Sequence, residues 1–299
     1  LAPLGGLVAE YLGWRAVFLV KLPLLALVLW LGYQILPLAQ GMTTLKQRLP
    51  VPDRSMLWET LLIGGAVTVL LLAFEVVEQW PWLAVLLVVL SVLTMGWWSR
   101  LQASTVLLTL VGNRHFGLPA LALMLIAALI GLISFTLPFF VADVMGMGAE
   151  VLSIAVVGFV VAAAVVSPLA GIMADRYGAI NVATAGAGLT ILGLLSVLSL
   201  DANATVLELT LCTAATGLGM AFFNAPVMAA LMAAANPAMM GAASGISSVA
   251  RFLGSTFGPA VAALAWNINQ GGVAGLHASV WALAGMATVG FLALLWARR

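Results

Sequence analysis

The segment GIMADRYGAI, residues 171–180, places an acid and a base, Asp175 and Arg176, side by side between Gly171 and Gly178. Only 7% of the chain is charged, and long apolar runs flank this pair on both sides. Two helices joined by almost no loop need glycine for the tight turn, and the Asp175 carboxylate is placed to cap the following helix. A capped turn with no further role and a turn with a functional charge pair both fit the pattern.

A second pattern, RFLGSTFGPAVAA, places Gly254, Gly258 and Ala262 four residues apart. Small residues at this spacing form a flat stripe on one helix face, against which another helix can approach closely. Pro259 disturbs the helix within the stripe. The pattern indicates either generic helix packing or a close-packed crossing with a functional role.

The third candidate is Arg251, which lies well inside the apolar segment Ala242–Trp266. In a membrane-spanning helix, a charged side chain far from the helix ends is costly unless it faces water or a partner. We therefore expect Arg251 to be a cavity or gating residue. The alternative is an arginine whose long side chain reaches back to the membrane interface.

Polar residues also recur along the segment Val206–Met228, where Thr213 and Thr216 share a face and Asn224 follows. A polar stripe on a proline-containing helix is a reasonable cavity lining, so these three residues are cavity candidates. The alternative is that each threonine hydroxyl bonds to a carbonyl of its own helix.

No pattern in the chain predicts catalysis, a cofactor or a metal. Two distant histidines and a single cysteine do not make a zinc site. The glycine-rich segments GAGLTI and GLGMAF lack the third glycine and the preceding strand that dinucleotide binding needs. The net charge of +1 comes without a basic patch, so we expect no nucleic-acid partner.

The composition predicts an all-α integral membrane protein. Hydrophobic residues make up 64% of the chain, against roughly 45–50% in soluble domains, and runs of about 20 apolar residues, enough to cross a bilayer, follow one another. The sequence predicts ten membrane-spanning segments: Leu1–Tyr11, Val17–Leu36, Leu57–Val77, Trp82–Trp98, Leu118–Val141, Leu152–Ala174, Ala179–Leu200, Val206–Met228, Ala242–Trp266 and Val280–Trp296.

The basic residues set the predicted orientation, because loops rich in Lys and Arg stay cytoplasmic. Of the ten basic residues assigned to a side, only Arg15 and Lys21 fall on the opposite one. The predicted cytoplasmic set is Lys46, Arg48, Arg54, Arg100, Arg114, Arg176, Arg298 and Arg299. We therefore expect a multi-pass protein of the cell membrane with the Asp175–Arg176 turn and the C-terminus in the cytoplasm.

Three motifs resemble signatures of the major facilitator superfamily. Gly171-x-x-x-Asp175-Arg176-x-Gly178 resembles the family's short cytoplasmic loop, in which the charges latch helix ends together. Gly254-x-x-x-Gly258-Pro259-x-x-Ala-Ala resembles the antiporter signature, with alanines for its last two glycines. The N-terminal segment LAPLGGLVAEYLGW resembles a first copy of that signature through Pro3, Gly5 and Gly6, although one residue is missing between Pro3 and Gly5.

The resemblance implies a helical bundle of the fourteen-helix drug:proton antiporter branch. Because the antiporter signature belongs to the fifth helix of this family, the chain is expected to be an N-terminally truncated fragment holding about ten of fourteen helices, with the missing N-terminal half as its partner. The implied organisation is: residues 1–36, the last two helices of the N-terminal half; 37–56, a cytoplasmic linker; 57–98, two inserted helices; 99–117, a cytoplasmic loop; and 118–299, the C-terminal six-helix half.

The function implied by the resemblance is proton-coupled efflux of hydrophobic or cationic drugs and related small molecules. Its partners would be a small-molecule substrate, protons and the lipid bilayer. Two alternatives stay open: a facilitator or symporter of another small solute, and a membrane fragment that transports nothing. The main proton carrier is expected upstream of Leu1.

Overall fold

The computed structural model describes residues 19, 21–35, 54–77, 80–101 and 104–299. The chain divides into two units, Leu1–Gly65 and Ala66–Arg299. The predicted span Leu1–Tyr11, with Pro3, Gly5 and Gly6, lies outside the described residues, as does most of the predicted linker 37–56.

All regular structure in the described residues is helical. The helices are α1 Lys21–Ile35, α2 Arg54–Val76, α3 Pro81–Trp98, α4 Ser104–Gly112, α5 Arg114–Val144, α6 Ala149–Tyr177, α7 Ala179–Ser199, α8 Val206–Ala234, α9 Met240–Ile268 and α10 Gly272–Ala297. Helix α1 lies in the first unit, α2 contains the boundary between the units, and α3 to α10 belong to the second unit.

Six of the described helices, α3, α5, α6, α7, α8 and α10, are long and apolar enough to cross a membrane. Helix α9 has 29 residues, but its N-terminal half is rich in glycine and serine, which makes it less apolar. The chain is therefore a multi-pass, all-helical membrane protein, and the total of ten spans stays a prediction.

Several helices extend beyond the predicted spans. Helix α5 begins four residues before Leu118, because the Asn113 side chain caps it by accepting the His115 N–H at 3.1 Å. Helix α8 continues to Ala234 past Met228, with Pro226 inside it. The predicted spans end at charged residues and prolines, whereas the helices themselves end where capping geometry allows.

The start of α8 is fixed by a reciprocal capping box. The Thr205 hydroxyl accepts the Glu208 N–H at 3.2 Å, and the Glu208 carboxylate accepts the Thr205 N–H at 2.8 Å. Both backbone donors would otherwise lack partners at a helix N-terminus. Glu208 is thus engaged in capping the start of α8.

Helix α5 contains two widened π-helical turns, Leu132–Thr136 and Phe140–Val144, on either side of the short segment Leu137–Phe139. Pro138 lies in that segment, lacks an N–H and crowds the carbonyl one turn before it. Widened turns of this kind accommodate such a break and occur frequently at functional sites. From the sequence, this segment is expected to be a regular span.

The second unit is held together by close helix packing and interhelical hydrogen bonds. Helix α8 packs on α6 and α7, and α5 packs on α9 and α10. The Ser279 hydroxyl of α10 donates to the Ala262 carbonyl of α9 at 2.9 Å. Lipid gives no hydrophobic advantage to one helix contact over another, so packing and such bonds decide which helices associate.

The start of α5 lies beside the end of α10. The His115 Nδ1 atom is 3.0 Å from the Ala297 carbonyl oxygen, and the Arg114 guanidinium donates to the Arg299 carbonyl at 3.3 Å. These two helix ends, both carrying basic residues, therefore lie on the same side of the bundle.

Candidate functional site

A cavity of about 570 Å³ lies between α5, α6, α8 and α9. Most of its larger lining side chains are apolar and include Ile130, Ile133, Phe159 and Met220. Small-molecule sites are clefts of roughly 300–1,000 Å³, mostly apolar with a few placed polar groups. The size and lining of this cavity fit that description.

Four polar side chains line the cavity: Ser167 of α6, Asn224 of α8, and Arg251 and Ser255 of α9. The sequence predicts a cavity position for Asn224 and Arg251 but not for the two serines. Ser255 follows Arg251 by four residues, a spacing that puts both on one helix face. That spacing could have indicated from the sequence that Ser255 lines the cavity. For Ser167, the available signal was Pro168, which directly follows it.

Arg251 is exposed to the cavity, and none of the described residues forms an ion pair or hydrogen bond with it. It lies eleven residues after Met240, a rise of about 16 Å along α9. No acidic residue is among the side chains that line this cavity. The described wall is therefore electrically positive.

Thr213 and Thr216 do not line the cavity. Both are buried; the Thr213 hydroxyl donates to the Ala155 carbonyl of α6 at 2.9 Å, and the Thr216 hydroxyl donates to the Cys212 carbonyl of its own helix at 3.0 Å. The Thr213 hydroxyl also lies 2.9 Å from the Thr210 carbonyl of its own helix, so both hydroxyls are engaged with backbone carbonyls in the helix packing.

Thr213 and Thr216 lie outside the cavity because of the path of α6 relative to α8. Near Ala155 and Phe159 the two helices touch, so closely that a side chain on Gly217 would overlap the Phe159 carbonyl. Further along, Ser167 and Asn224 both line the open cavity. A single face of α8 is therefore covered in its first half and open in its second, and sequence periodicity does not distinguish the two.

Gly254 and Gly258 lie at the crossing of α9 with α5. A β-carbon on Gly254 would fall 2.9 Å from the Ala127 β-carbon, and one on Gly258 would overlap the Ala128 carbonyl. Gly131 of α5 faces the same point, where a β-carbon would be 2.8 Å from the Pro259 nitrogen. The small-residue stripe is thus a backbone-to-backbone contact, and it borders the cavity because Ala127 and Ile130 also line it.

The turn between α6 and α7 differs from the expected capped turn. Asp175 and Arg176 lie inside the last turn of α6, and the residue that precedes α7 is Gly178, without a side-chain cap. The expectation that Asp175 caps the next helix is therefore wrong, because α6 continues past Ala174. The side-chain amide of Asn181 instead donates a hydrogen bond to the Tyr177 carbonyl at 2.8 Å.

The two glycines of this motif have different surroundings. Gly178 has φ +88°, a backbone conformation that side chains disfavour. Gly171 lies in α6, and nothing lies within 4 Å of the place where its β-carbon would be. Asp175 and Arg176 are exposed, and the Arg176 guanidinium lies 5.5 Å from the centre of the Tyr177 ring.

Among the described residues, no group of three or more His, Cys, Asp or Glu side chains is placed to hold a metal ion. The acidic residues between Ser104 and Arg299 all lie at helix ends or in turns: Asp143, Glu150, Asp175, Asp201 and Glu208.

Comparison with known proteins gives matches along most of the chain. Residues 120–299 match the family profile of the Major Facilitator Superfamily. Multidrug resistance protein Stp of Mycobacterium tuberculosis is 31% identical over 271 residues, which cover 86% of this chain and 48% of Stp.

Two further relatives are more distant. Riboflavin transporter RibZ of Clostridioides difficile is 23% identical over 266 residues, covering 86% of this chain and 55% of RibZ. Uncharacterized transporter YebQ of Escherichia coli is 27% identical over 281 residues, covering 92% of this chain and 60% of YebQ. The chain thus spans about half the length of the curated relatives that it matches.

Proposed function

The chain belongs to the major facilitator superfamily, and on that premise we propose that it forms part of a proton-coupled exporter of hydrophobic small molecules. The observation that carries this proposal is the cavity between α5, α6, α8 and α9, whose volume of about 570 Å³ fits a drug-sized ligand. The multidrug resistance protein Stp, with 31% identity, supports efflux as the direction. The fourteen-helix architecture belongs to this proposal.

In the proposed mechanism, the helices that bound the cavity rock against a second set of helices, which closes its open side. The α5–α9 crossing at Gly131, Gly254 and Gly258 would hold these helices together during the motion, because two backbones in direct contact move as one rigid body. The widened turns of α5, just after Gly131, would absorb local bending.

The α6–α7 turn would act as the latch on the cytoplasmic side. Asp175 and Arg176 are both exposed and thus free to meet charges on another helix end. Gly178 allows the chain to reverse within a single residue. Closing and opening of such charge contacts is a common switching device in rigid-body transitions.

The coupling proton is expected to travel outside α5 to α10. Every acidic residue of these helices and their turns lies at a helix end or in a turn, so none is positioned beside the cavity. A buried carboxylate is the usual intramembrane proton carrier. We therefore assign the carrier to helices other than α5–α10.

A facilitator or symporter of another small solute is the second candidate. The relative named riboflavin transporter supports it, and so does a cavity wall without a carboxylate. The two candidates differ in whether substrate movement drives protons in the opposite direction.

The test uses the intact protein, as produced from its gene, in proteoliposomes that carry a pH-sensitive dye. Export coupled to protons predicts that adding a transported dye, either the cation ethidium or a sulfonated anionic dye, collapses an imposed pH gradient faster than in protein-free vesicles. Uptake of either dye with no change in the pH gradient would favour the facilitator. No movement of ethidium, riboflavin or any other compound tested would contradict both.

A further inference from the structure

Resting on the proposed function and refining it, we propose that the described cavity wall selects ligands by an anionic group, which Arg251 and Asn224 bind. The resemblance to drug antiporters implied hydrophobic or cationic ligands, whereas the charge of this wall favours an anion. The ligand class is an amphiphilic organic anion, with an aromatic or aliphatic body and a carboxylate, sulfonate or phosphate group.

The charges of the wall are the first argument. Arg251 lines the cavity and no acidic side chain does. Among the described residues it has no ion-pair partner, and a charged side chain within a membrane-spanning helix is costly unless it faces water or a partner. An anionic ligand supplies the missing partner, whereas a cationic ligand at this wall would meet a like charge.

The hydrogen-bonding groups are the second argument. Asn224, on α8, lines the same cavity, and its side chain has no hydrogen-bond partner among the described residues. Its amide group and the guanidinium together offer several N–H donors. The Ser255 hydroxyl is already used, because it donates to the Phe252 carbonyl at 2.9 Å. The free donors of the wall thus match a group rich in acceptors.

The apolar part of the cavity lining indicates the chemistry of the rest of the ligand. Ile130, Ile133, Phe159 and Met220 provide an apolar surface next to the two polar groups. A hydrophobic body would pack there, and an aromatic one could pack against the Phe159 ring. A small hydrophilic anion would leave this surface in contact with water and gain little from it.

The experiment compares two dyes that share a xanthene ring system and differ in charge, the anionic fluorescein and the cationic rhodamine 6G. Binding to the intact protein in lipid nanodiscs is measured by fluorescence anisotropy, without any proton gradient. We expect fluorescein to bind more tightly. In Arg251→Gln its dissociation constant should rise about tenfold or more, the size expected for a lost charge-assisted hydrogen bond, while rhodamine 6G binding is unchanged or stronger.

Three variants sharpen the comparison. Arg251→Lys keeps the charge and should retain part of the fluorescein affinity. Asn224→Leu should weaken fluorescein more than rhodamine 6G. Arg298→Gln removes a basic residue that does not line the cavity and should change neither dye.

Tighter binding of rhodamine 6G to the unmodified protein, or an equal loss of both dyes in Arg251→Gln and in Asn224→Leu, would overturn the proposal. If Arg251→Gln does not yield folded protein, the dye preference of the unmodified protein and Asn224→Leu still decide. Because no gradient is used, a failure of proton-driven export would leave this result standing, and loss of the anion preference would leave the export proposal standing.

Discussion

Gly258 on α9 lies so close to Ala128 on α5 that a β-carbon on the glycine would overlap the Ala128 carbonyl oxygen. The two helices meet backbone to backbone at this point, at the edge of the cavity. Contacts of this kind depend on the absence of side chains, because the helix axes can approach only when nothing stands between them.

We therefore expect Gly258→Val to destabilise the protein by about 1–3 kcal/mol, the usual cost of overpacking a close contact. The measurement is the thermal unfolding temperature of the purified protein in detergent. Gly245→Ala is the control on the same helix, since nothing lies within 4 Å of the place where its β-carbon would be. It should be neutral or stabilising by up to about 1 kcal/mol. Equal effects of both variants would contradict the close contact.

The spacing of Gly254, Gly258 and Ala262 predicted a close helix contact, but it did not identify the partner. Small residues four apart mark one face of a helix, and they contain no information about which helix meets that face. Gly131 of α5 completes the crossing, and in the sequence it is one glycine in an otherwise apolar run. Long-range pairing of this kind follows from the packing of the whole bundle.

The polar stripe of α8 was predictable as a face and not as a function. Thr213, Thr216 and Asn224 belong to one polar pattern in the sequence, yet only Asn224 reaches the cavity. The difference depends on where α6 diverges from α8, which is a property of two helices together. The same holds for the widened turns around Pro138, where the proline was visible and the local response of α5 was not.

Thr213→Val tests whether this hydroxyl has a packing role. The substitution keeps the shape and removes the hydrogen bond to the Ala155 carbonyl, so we expect a loss of about 0.5–1.5 kcal/mol in stability. Ligand affinity should stay unchanged, because Thr213 does not line the cavity. Thr256→Val, which removes a hydroxyl bonded to its own helix at Phe252, is the control and should cost less. A change in dye affinity with unchanged stability would argue for the cavity role.

The two glycines of the α6–α7 motif should respond in opposite directions. Gly178→Ala forces a side chain into a backbone conformation with φ +88°, and we expect it to lose about 1–2 kcal/mol of stability. Gly171→Ala lies inside α6 with open space around it and should gain about 0.5–1 kcal/mol. Thermal unfolding of both variants checks this. A similar loss in both would mean that the motif needs small residues for packing rather than for the turn.

The predicted membrane orientation can be tested by labelling single cysteines in a Cys212→Ala background. Arg176→Cys and Arg299→Cys should react with a membrane-impermeant maleimide from the cytoplasmic side, because basic loops stay there. Met147→Cys and Asn203→Cys, in the turns before α6 and α8, should react only from the opposite side. Labelling of Arg176→Cys and Asn203→Cys from the same side would contradict the topology.

Asp175→Asn separates the latch role of the α6–α7 turn from a structural one. Asp175 is exposed in the last turn of α6, where the partial negative charge of the helix end disfavours a carboxylate. Removing its charge should therefore leave the unfolding temperature unchanged or slightly higher. If the carboxylate takes part in a latch, the transport rate should nevertheless fall at least about fivefold, the lower end of the usual range of coupling factors between two sites.

Glu150→Gln, in the first turn of the same helix, is the control and should leave transport unchanged. Unfolding temperature and dye export from proteoliposomes are measured on the same preparations, with a dye that the unmodified protein exports, and normal export by Asp175→Asn would exclude the latch.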